Sequence, residues 1–430
     1  MFLGVKLVVL LAYLFIGYKW NQKNNTSLAL KLVFWIVLVR LFLSSFHEYT
    51  YNSIAAGLSL ISIFSLLFTV ISVSYIIYRK YPLLLAKTWL PVNFFILVLV
   101  ISGLLNSLVP ALIEVIKWTL FLGVGGLLVI SYSQDGMKRA VEGILVAYSY
   151  PVVLLILSII LRVSKSTEMD GSVSYVGGFN HEAAFSVIVF SCFVVYQVYT
   201  SLKKHPISLY LIISITFGVL IVSINYRTTV LAYLGMVLIL LMMYIWRSGV
   251  LVKVLALCLL PFVFLPLSLI SGSSLGERFS EIPLFLSQIG ELLIPYDYYY
   301  RDDRRFFSGR VYIWNMYITA WYEAGLKEHI LGFGPGSWKD FYRYYPHNTF
   351  VSALYETGLL GLSFLALLFL SVMGLIVRRI RLPYVRVALA SYFGFVVLNL
   401  ATMPLWQIEG LLLFSFVLSL TITDNNVQEN

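Results

Sequence analysis

The sequence predicts an all-α fold, a polytopic transmembrane helical bundle with one long, partly helical extracytoplasmic loop. Three observations carry this. Of the 430 residues, 60% are hydrophobic and only 12% are charged, whereas soluble domains are about 25% charged. Apolar runs of the length that crosses a bilayer, ~20 residues, recur along nearly the whole chain. Lysine and arginine collect in every second connection, the pattern that orients membrane helices. Mean hydropathy is +0.89. Helices are the expected spanning element because each one pairs its own backbone N–H and C=O groups within the segment.

The runs place spans at roughly 2–18, 28–45, 54–77, 88–108, 111–132, 141–161, 181–201, 207–223, 228–245, 253–271, 347–377, 387–403 and 408–422, a count of twelve or thirteen. The first run lacks a small-residue cleavage site and is followed by Lys19 and Lys23, so it reads as a span and not as a removable signal. Basic groups stand at Lys19/Lys23, Arg79/Lys80/Lys87, Lys138/Arg139, Lys203/Lys204, Arg247/Lys253 and Arg378/Arg379/Arg381/Arg386, and almost none near His47, Val109 and Pro404. The basic side is therefore expected in the cytoplasm, with the segment 272–346 outside and, for thirteen spans, the N-terminus outside too. Four regions follow: an N-terminal transmembrane bundle (1–271), the extracytoplasmic loop (272–346), C-terminal transmembrane helices (347–422) and a polar tail (423–430).

The net charge of +10 fits this topology and attraction to anionic lipid head groups, and no nucleic-acid partner is expected. Cys192 and Cys258 both fall within apolar runs, which argues against a structural disulfide or a thiolate metal site.

The long loop is mixed in charge and very aromatic: Tyr296-Asp-Tyr-Tyr-Tyr300 precedes Arg301, Asp302, Asp303, Arg304 and Arg305. Ser308 is a candidate cap for a helix beginning near Arg310. Ile313, Tyr317, Ala320, Trp321 and Ala324 recur at helical spacing, which predicts an amphipathic helix on the membrane surface. Gly332, Gly334, Pro335 and Gly336 then predict a turn.

Ionisable groups at helix mouths carry the chemistry. Arg227 lies between two apolar runs, where its guanidinium fork suits a phosphate; an arginine snorkelling to the interface is the alternative. Arg310, at a helix N-terminus, is placed for a phosphate or pyrophosphate, or else for a pair with Asp302 or Asp303. His347 opens the span after the loop and suits a general base, or an interfacial cap. Glu356 falls on the opposite side of an ideal helix from His347, and Gly358 and Gly361 allow another helix to approach closely. Gly177-Gly-Phe-Asn-His181-Glu182 marks a further outer junction, explained equally by lining the same cavity or by helix capping.

Gly332-Phe-Gly-Pro-Gly336, then His347-Asn348, nine residues, and Gly358-Leu-Leu-Gly361 resembles the signature of the O-antigen ligase and O-antigen polymerase superfamily. Ser308-Gly-Arg310 with Trp314, Arg227 before its span, and Gly178-Phe-Asn-His181 are similar to its looser elements; the likeness covers about 175 to 365 in pieces. Leu362 departs from the threonine that ligases often carry after the second glycine. The resemblance implies a membrane glycosyltransferase of the bacterial inner membrane, working at the periplasmic face on an undecaprenyl-pyrophosphate-linked glycan without metal or other cofactor. It implies a glycan or lipid A–core acceptor and, for a polymerase, a chain-length regulator. His347, Arg310 and Arg227 are the expected catalytic residues; Asn348, His181, Trp314, Arg304, Arg305 and Glu356 are the expected substrate contacts. A polymerase is favoured over a ligase because nothing in the chain points to lipid A–core. A flippase for the same lipid-linked glycan, or a scaffold, are the readings from other classes.

Overall fold

A computed structural model describes residues 2–55, 58–81, 87–166, 173–246, 287, 296–299 and 309–422. The helices, in chain order, are α1 (Phe2–Lys23), α2 (Leu28–Ser45), α3 (His47–Thr50), α4 (Leu60–Tyr78), α5 (Leu90–Leu105), α6 (Leu108–Asp135), α7 (Met137–Ile160), α8 (Glu182–Leu202), α9 (Ile207–Ser223) and α10 (Arg227–Trp246). After the loop come α11 (Arg310–Tyr322), α12 (Leu326–Leu331), α13 (Trp338–Phe341), α14 (Thr349–Arg378), α15 (Pro383–Ala401) and α16 (Ile408–Ile422). Among the described residues nine helices are long and apolar enough to cross a membrane, and three shorter apolar helices join them. The chain is an all-α, multi-pass membrane protein.

Two expectations change. The third span was expected from residue 54, but Ser53–Ala55 (β1) and Leu58–Ser59 (β2) form a small antiparallel hairpin and the helix starts at Leu60, after Ser59 in extended conformation. The helix expected to include Ala324 ends at Tyr322, and it buries Val311, Ile313 and Tyr317 in the protein. The expected span 253–271, Ser308 and most of the loop before it lie outside the described residues.

Hydrogen bonds join helix ends in the two sets that the charge pattern predicts. At the basic end, the backbone N–H and hydroxyl of Ser27 donate to the Asp135 carboxylate at 2.8 and 2.5 Å, and Tyr132 and Ser419 share a bond of 3.1 Å. At the opposite end, the Tyr175 N–H donates to the Ser223 carbonyl, and the Asn348 amide to that of Leu400. Between these ends the core is tied by stacked aromatic rings: Phe414 of α16 lies 5.0 Å from Phe395, 5.4 Å from Phe369 and 5.8 Å from Phe121. Each ring comes from a different helix, so apolar contact fixes the arrangement where lipid removes the usual hydrophobic drive.

One irregularity positions the site. Helix α14 is interrupted at Gly358, whose φ of 65° and ψ of −165° are non-helical. The break frees backbone carbonyls, and buried carbonyls must find donors. The N–H of Phe333 donates to the Tyr355 carbonyl at 2.9 Å and that of Gly334 to the Glu356 carbonyl at 3.0 Å. Backbone thus packs on backbone. A Cβ on Gly358 would lie 2.4 Å from the Ile330 carbonyl, and one on Gly332 would lie 2.3 Å from the Glu356 carbonyl carbon. The close approach expected of Gly358 is real, although its partner is the last turn of the short helix α12 and not a spanning helix.

Candidate active site

Helix α11 shapes the site through one face. Arg310, Trp314 and Tyr317 are spaced four and three apart, so they stand in a row. The Trp314 indole donates to the Pro346 carbonyl at 2.9 Å, and the Tyr317 hydroxyl donates to the Tyr344 carbonyl at 2.7 Å. These bonds hold the strap that ends in His347, with Arg310 one turn before Trp314. The Arg310 guanidinium donates to the Tyr226 and Thr228 hydroxyls, both at 3.3 Å. Arg227, between those two residues, is 6% exposed and opens α10. Arg310 therefore reaches the residues on either side of Arg227, more than eighty positions away in sequence, at the N-terminus of α10, whose partial positive charge adds to that of Arg310.

His347 has a left-handed φ of 54°. Its ring centroid lies 4.0 Å from that of Tyr345. Burial first, then the Arg310 and His181 charges in the same sense, push its pKa down to about 4. At neutral pH the imidazole is uncharged and can accept a proton. Burial holds the Tyr345 phenol up to about 12, so that group is a donor and no base.

The other expected contacts have defined places. His181 accepts from the Ala183 N–H at 3.1 Å, caps α8, and faces a cavity of about 410 Å³. Asn348 caps α14 by accepting from the Phe350 and Val351 N–H groups at 2.9 and 3.1 Å, while its own amide donates to Leu400; it serves the architecture of the mouth. Trp314 acts through the strap. Glu356 is buried, accepting from the Gly336 N–H, the Trp406 indole and the Ser352 hydroxyl at 3.1, 3.3 and 3.1 Å. Arg304 and Arg305 lie outside the described residues, as do Asp302 and Asp303. Among the described residues no group of three or more His, Cys, Asp or Glu side chains is arranged to hold a metal.

Sequence reasoning did not single out Tyr226, Thr228 or Tyr345, nor a second set of charges beside the cavity. Arg40 donates twice to the Glu409 carboxylate, at 3.1 and 3.0 Å, and Ser44 donates to the same oxygen at 2.9 Å. Lys117 pairs with Glu114 at 2.6 Å and donates to the Trp406 carbonyl at 2.7 Å. The available signal was charge inside apolar runs, which is rare unless paired or functional. No family model matches the chain, and no curated protein matches it in sequence.

Proposed function

We propose that this chain is a membrane glycosyltransferase of the O-antigen polymerase or ligase type. It transfers a glycan from undecaprenyl pyrophosphate to a sugar hydroxyl at the periplasmic face of the bacterial inner membrane. The observation that supports this reading is Arg310, held at the N-terminus of α10 by Tyr226 and Thr228 and near enough to a half-buried His347 for its charge to lower that imidazole's pKa. Fixed cations stabilise a leaving pyrophosphate, and a positioned neutral imidazole takes a proton; an inverting transfer needs both.

In the reaction the acceptor oxygen attacks the anomeric carbon of the donor. The new glycosidic C–O bond forms as the bond from that carbon to the pyrophosphate oxygen breaks, and its electron pair leaves on undecaprenyl pyrophosphate. Arg310 and Arg227 take up the developing charge, and the hydroxyl proton passes to His347. The leaving anion also serves the base. Negative charge beside Arg310 offsets the field that depresses the imidazole, so basicity rises as the leaving group departs. The neighbouring cavity, walled by apolar side chains together with many polar ones, Arg40, Lys117 and Glu409 among them, suits an amphiphilic substrate.

The test uses the full chain in nanodiscs with undecaprenyl-pyrophosphate-linked repeat units and no other acceptor. A ladder of products that falls at least ~100-fold in His347→Ala and is lost in Arg310→Ala supports a polymerase. Transfer only after lipid A–core is added makes the chain a ligase. Near-normal turnover in His347→Ala removes the base assignment, and failure of both transfers moves the reading to transport.

A further inference from the structure

Two connections far apart in sequence converge at the basic end of the bundle. The turn after α8 carries Lys204 and His205, and the first turn of α15 carries Arg386. All three line one pocket of about 260 Å³, set between the last turns of α8 and α10 and the first turn of α9. Tyr210 and Tyr244 add two phenols to the lining, their rings edge to face with centroids 5.1 Å apart. The charge here is one-sided. Among the described residues that line the pocket there is no aspartate or glutamate. Glu142, whose charge reaches Lys203 on the same turn, stands outside it. The cavity at the opposite end differs, because there Arg40 is matched by Glu409 and Lys117 by Glu114. Cations gathered without carboxylates repel one another, and an anion between them relieves that cost.

The donors suit one kind of anion. Arg386 is steadied by its own turn: Nε donates to the Ile380 carbonyl at 3.2 Å, and Nη2 donates to that of Arg381 at 2.8 Å. Carbonyls are neutral, so these bonds place the guanidinium without cancelling its charge. A guanidinium, an ammonium, an imidazole and phenol hydroxyls together can donate to the several oxygens of a phosphate. Apolar side chains such as Leu240 complete the lining, which favours a phosphate that carries an organic group over a bare ion. Basic pockets between spanning helices take lipid head groups in this way.

We propose that this pocket is a phosphate site, filled by the head group of an anionic phospholipid from the leaflet at the basic end. The site goes beyond the transferase reading and does not depend on it. Leu240 follows Arg227 by thirteen residues on α10, ~20 Å along the helix. The lipid therefore ties α8, α9, α10 and α15 together at a distance from Arg310 and His347.

Binding is read by native mass spectrometry of the full chain in detergent, given equal amounts of phosphatidylglycerol and phosphatidylcholine with the same acyl chains. Phosphatidylglycerol adducts should predominate. Lys204→Gln and Arg386→Gln should each lower them about fivefold, the effect of one basic residue beside an anionic head group. Arg79→Gln removes an exposed charge at the same end that does not line the pocket, and it should leave them unchanged. Should Arg386→Gln melt early for want of its carbonyl bonds, the exposed Lys204 still supplies the test. Equal adducts in the unsubstituted protein and the pocket variants overturn the proposal. An equal fall in Arg79→Gln does so too, because the attraction is then diffuse. Inorganic phosphate separates the two carriers of the same group. If the two lipids bind alike, the lipid is overturned as the carrier. Inorganic phosphate held about fivefold more tightly by the unsubstituted protein than by Lys204→Gln then supports a soluble phosphate in the same pocket, and its failure to bind overturns the site altogether.

Discussion

Replacing Arg310 by glutamine should raise the pKa of His347 by no more than about one unit. The imidazole is displaced from 6.5 to about 4, which at ~1.4 kcal/mol per unit amounts to ~3 kcal/mol against the imidazolium. Burial is the largest cause, Arg310 the second and His181 the third. Arg310 therefore accounts for less than half of the displacement, or at most ~1.5 kcal/mol. Glutamine removes the charge and keeps a donor for Tyr226 or Thr228. The assay is a titration of isotope-labelled histidine by NMR in nanodiscs. The chain has five histidines, and the His347 resonance is the one that disappears in His347→Gln. Inorganic pyrophosphate, added to the unsubstituted protein, should raise the same pKa, and it should have much less effect in Arg310→Gln. A pKa that stays fixed or falls on removing Arg310 would refute the electrostatic link. So would a pyrophosphate response of equal size in both proteins, because the anion would then bind elsewhere.

Four further outcomes follow from the same geometry. Gly358→Ala combines a positive φ with a Cβ 2.4 Å from the Ile330 carbonyl and should cost more than ~2 kcal/mol; Gly374→Ala, which meets nothing within 4 Å, should be neutral in the same thermal melt. Arg40→Met should destabilise by ~3–5 kcal/mol, because the Glu409 charge stays buried without its partner, and the double variant Arg40→Met/Glu409→Leu should recover most of that; equal losses in both would refute the pairing. Because folding lowers the His347 pKa, the unfolded chain binds the proton more readily, so its contribution is whole above pH 6.5 and is lost as pH falls toward about 4; melting curves of wild type and His347→Gln that stay parallel across that window would contradict this. Trp314→Phe keeps the packing but loses the bond to the Pro346 carbonyl, and kcat should fall with donor KM little changed; restoration of normal kcat in Trp314→Phe alone would show that the bond does not position the base.

The bundle was legible because its evidence is repeated: many apolar runs and six basic connections all report the same solvent. Arg310 and His347 were legible for a different reason, since a charge at a helix mouth stands out against apolar sequence. What brings them together was not. Tyr226 and Thr228 are ordinary residues beside a conspicuous arginine, and only the docking of α11 shows that they bind Arg310. The docking surface itself escaped because it is made by backbone. Gly332 and Gly358 look in sequence like a turn and a helix-packing position, and nothing there says that they face each other. Arg40 and Glu409 are separated by most of the chain, so their pairing has no local sign. The hairpin at Ser53–Ser59 was missed because apolar content alone does not separate a short strand from the start of a span.

The left-handed backbone of His347 can be understood from what flanks it. A non-glycine residue in that region carries a penalty of ~1–3 kcal/mol and persists only where its surroundings fix it. Here the residue before it is held by Trp314, and the residue after it caps α14 with two hydrogen bonds and donates a third to the Leu400 carbonyl. The far end of the strap is fixed as well, because Gly334 and Gly336 bond to the Glu356 carbonyl and carboxylate. The strap therefore runs between two anchors on the first turns of a single broken helix. Movement at the Gly358 break must move both anchors together, and with them the ring of His347. The break at Gly358 thus leaves the first turns of α14 holding both ends of the strap that carries His347.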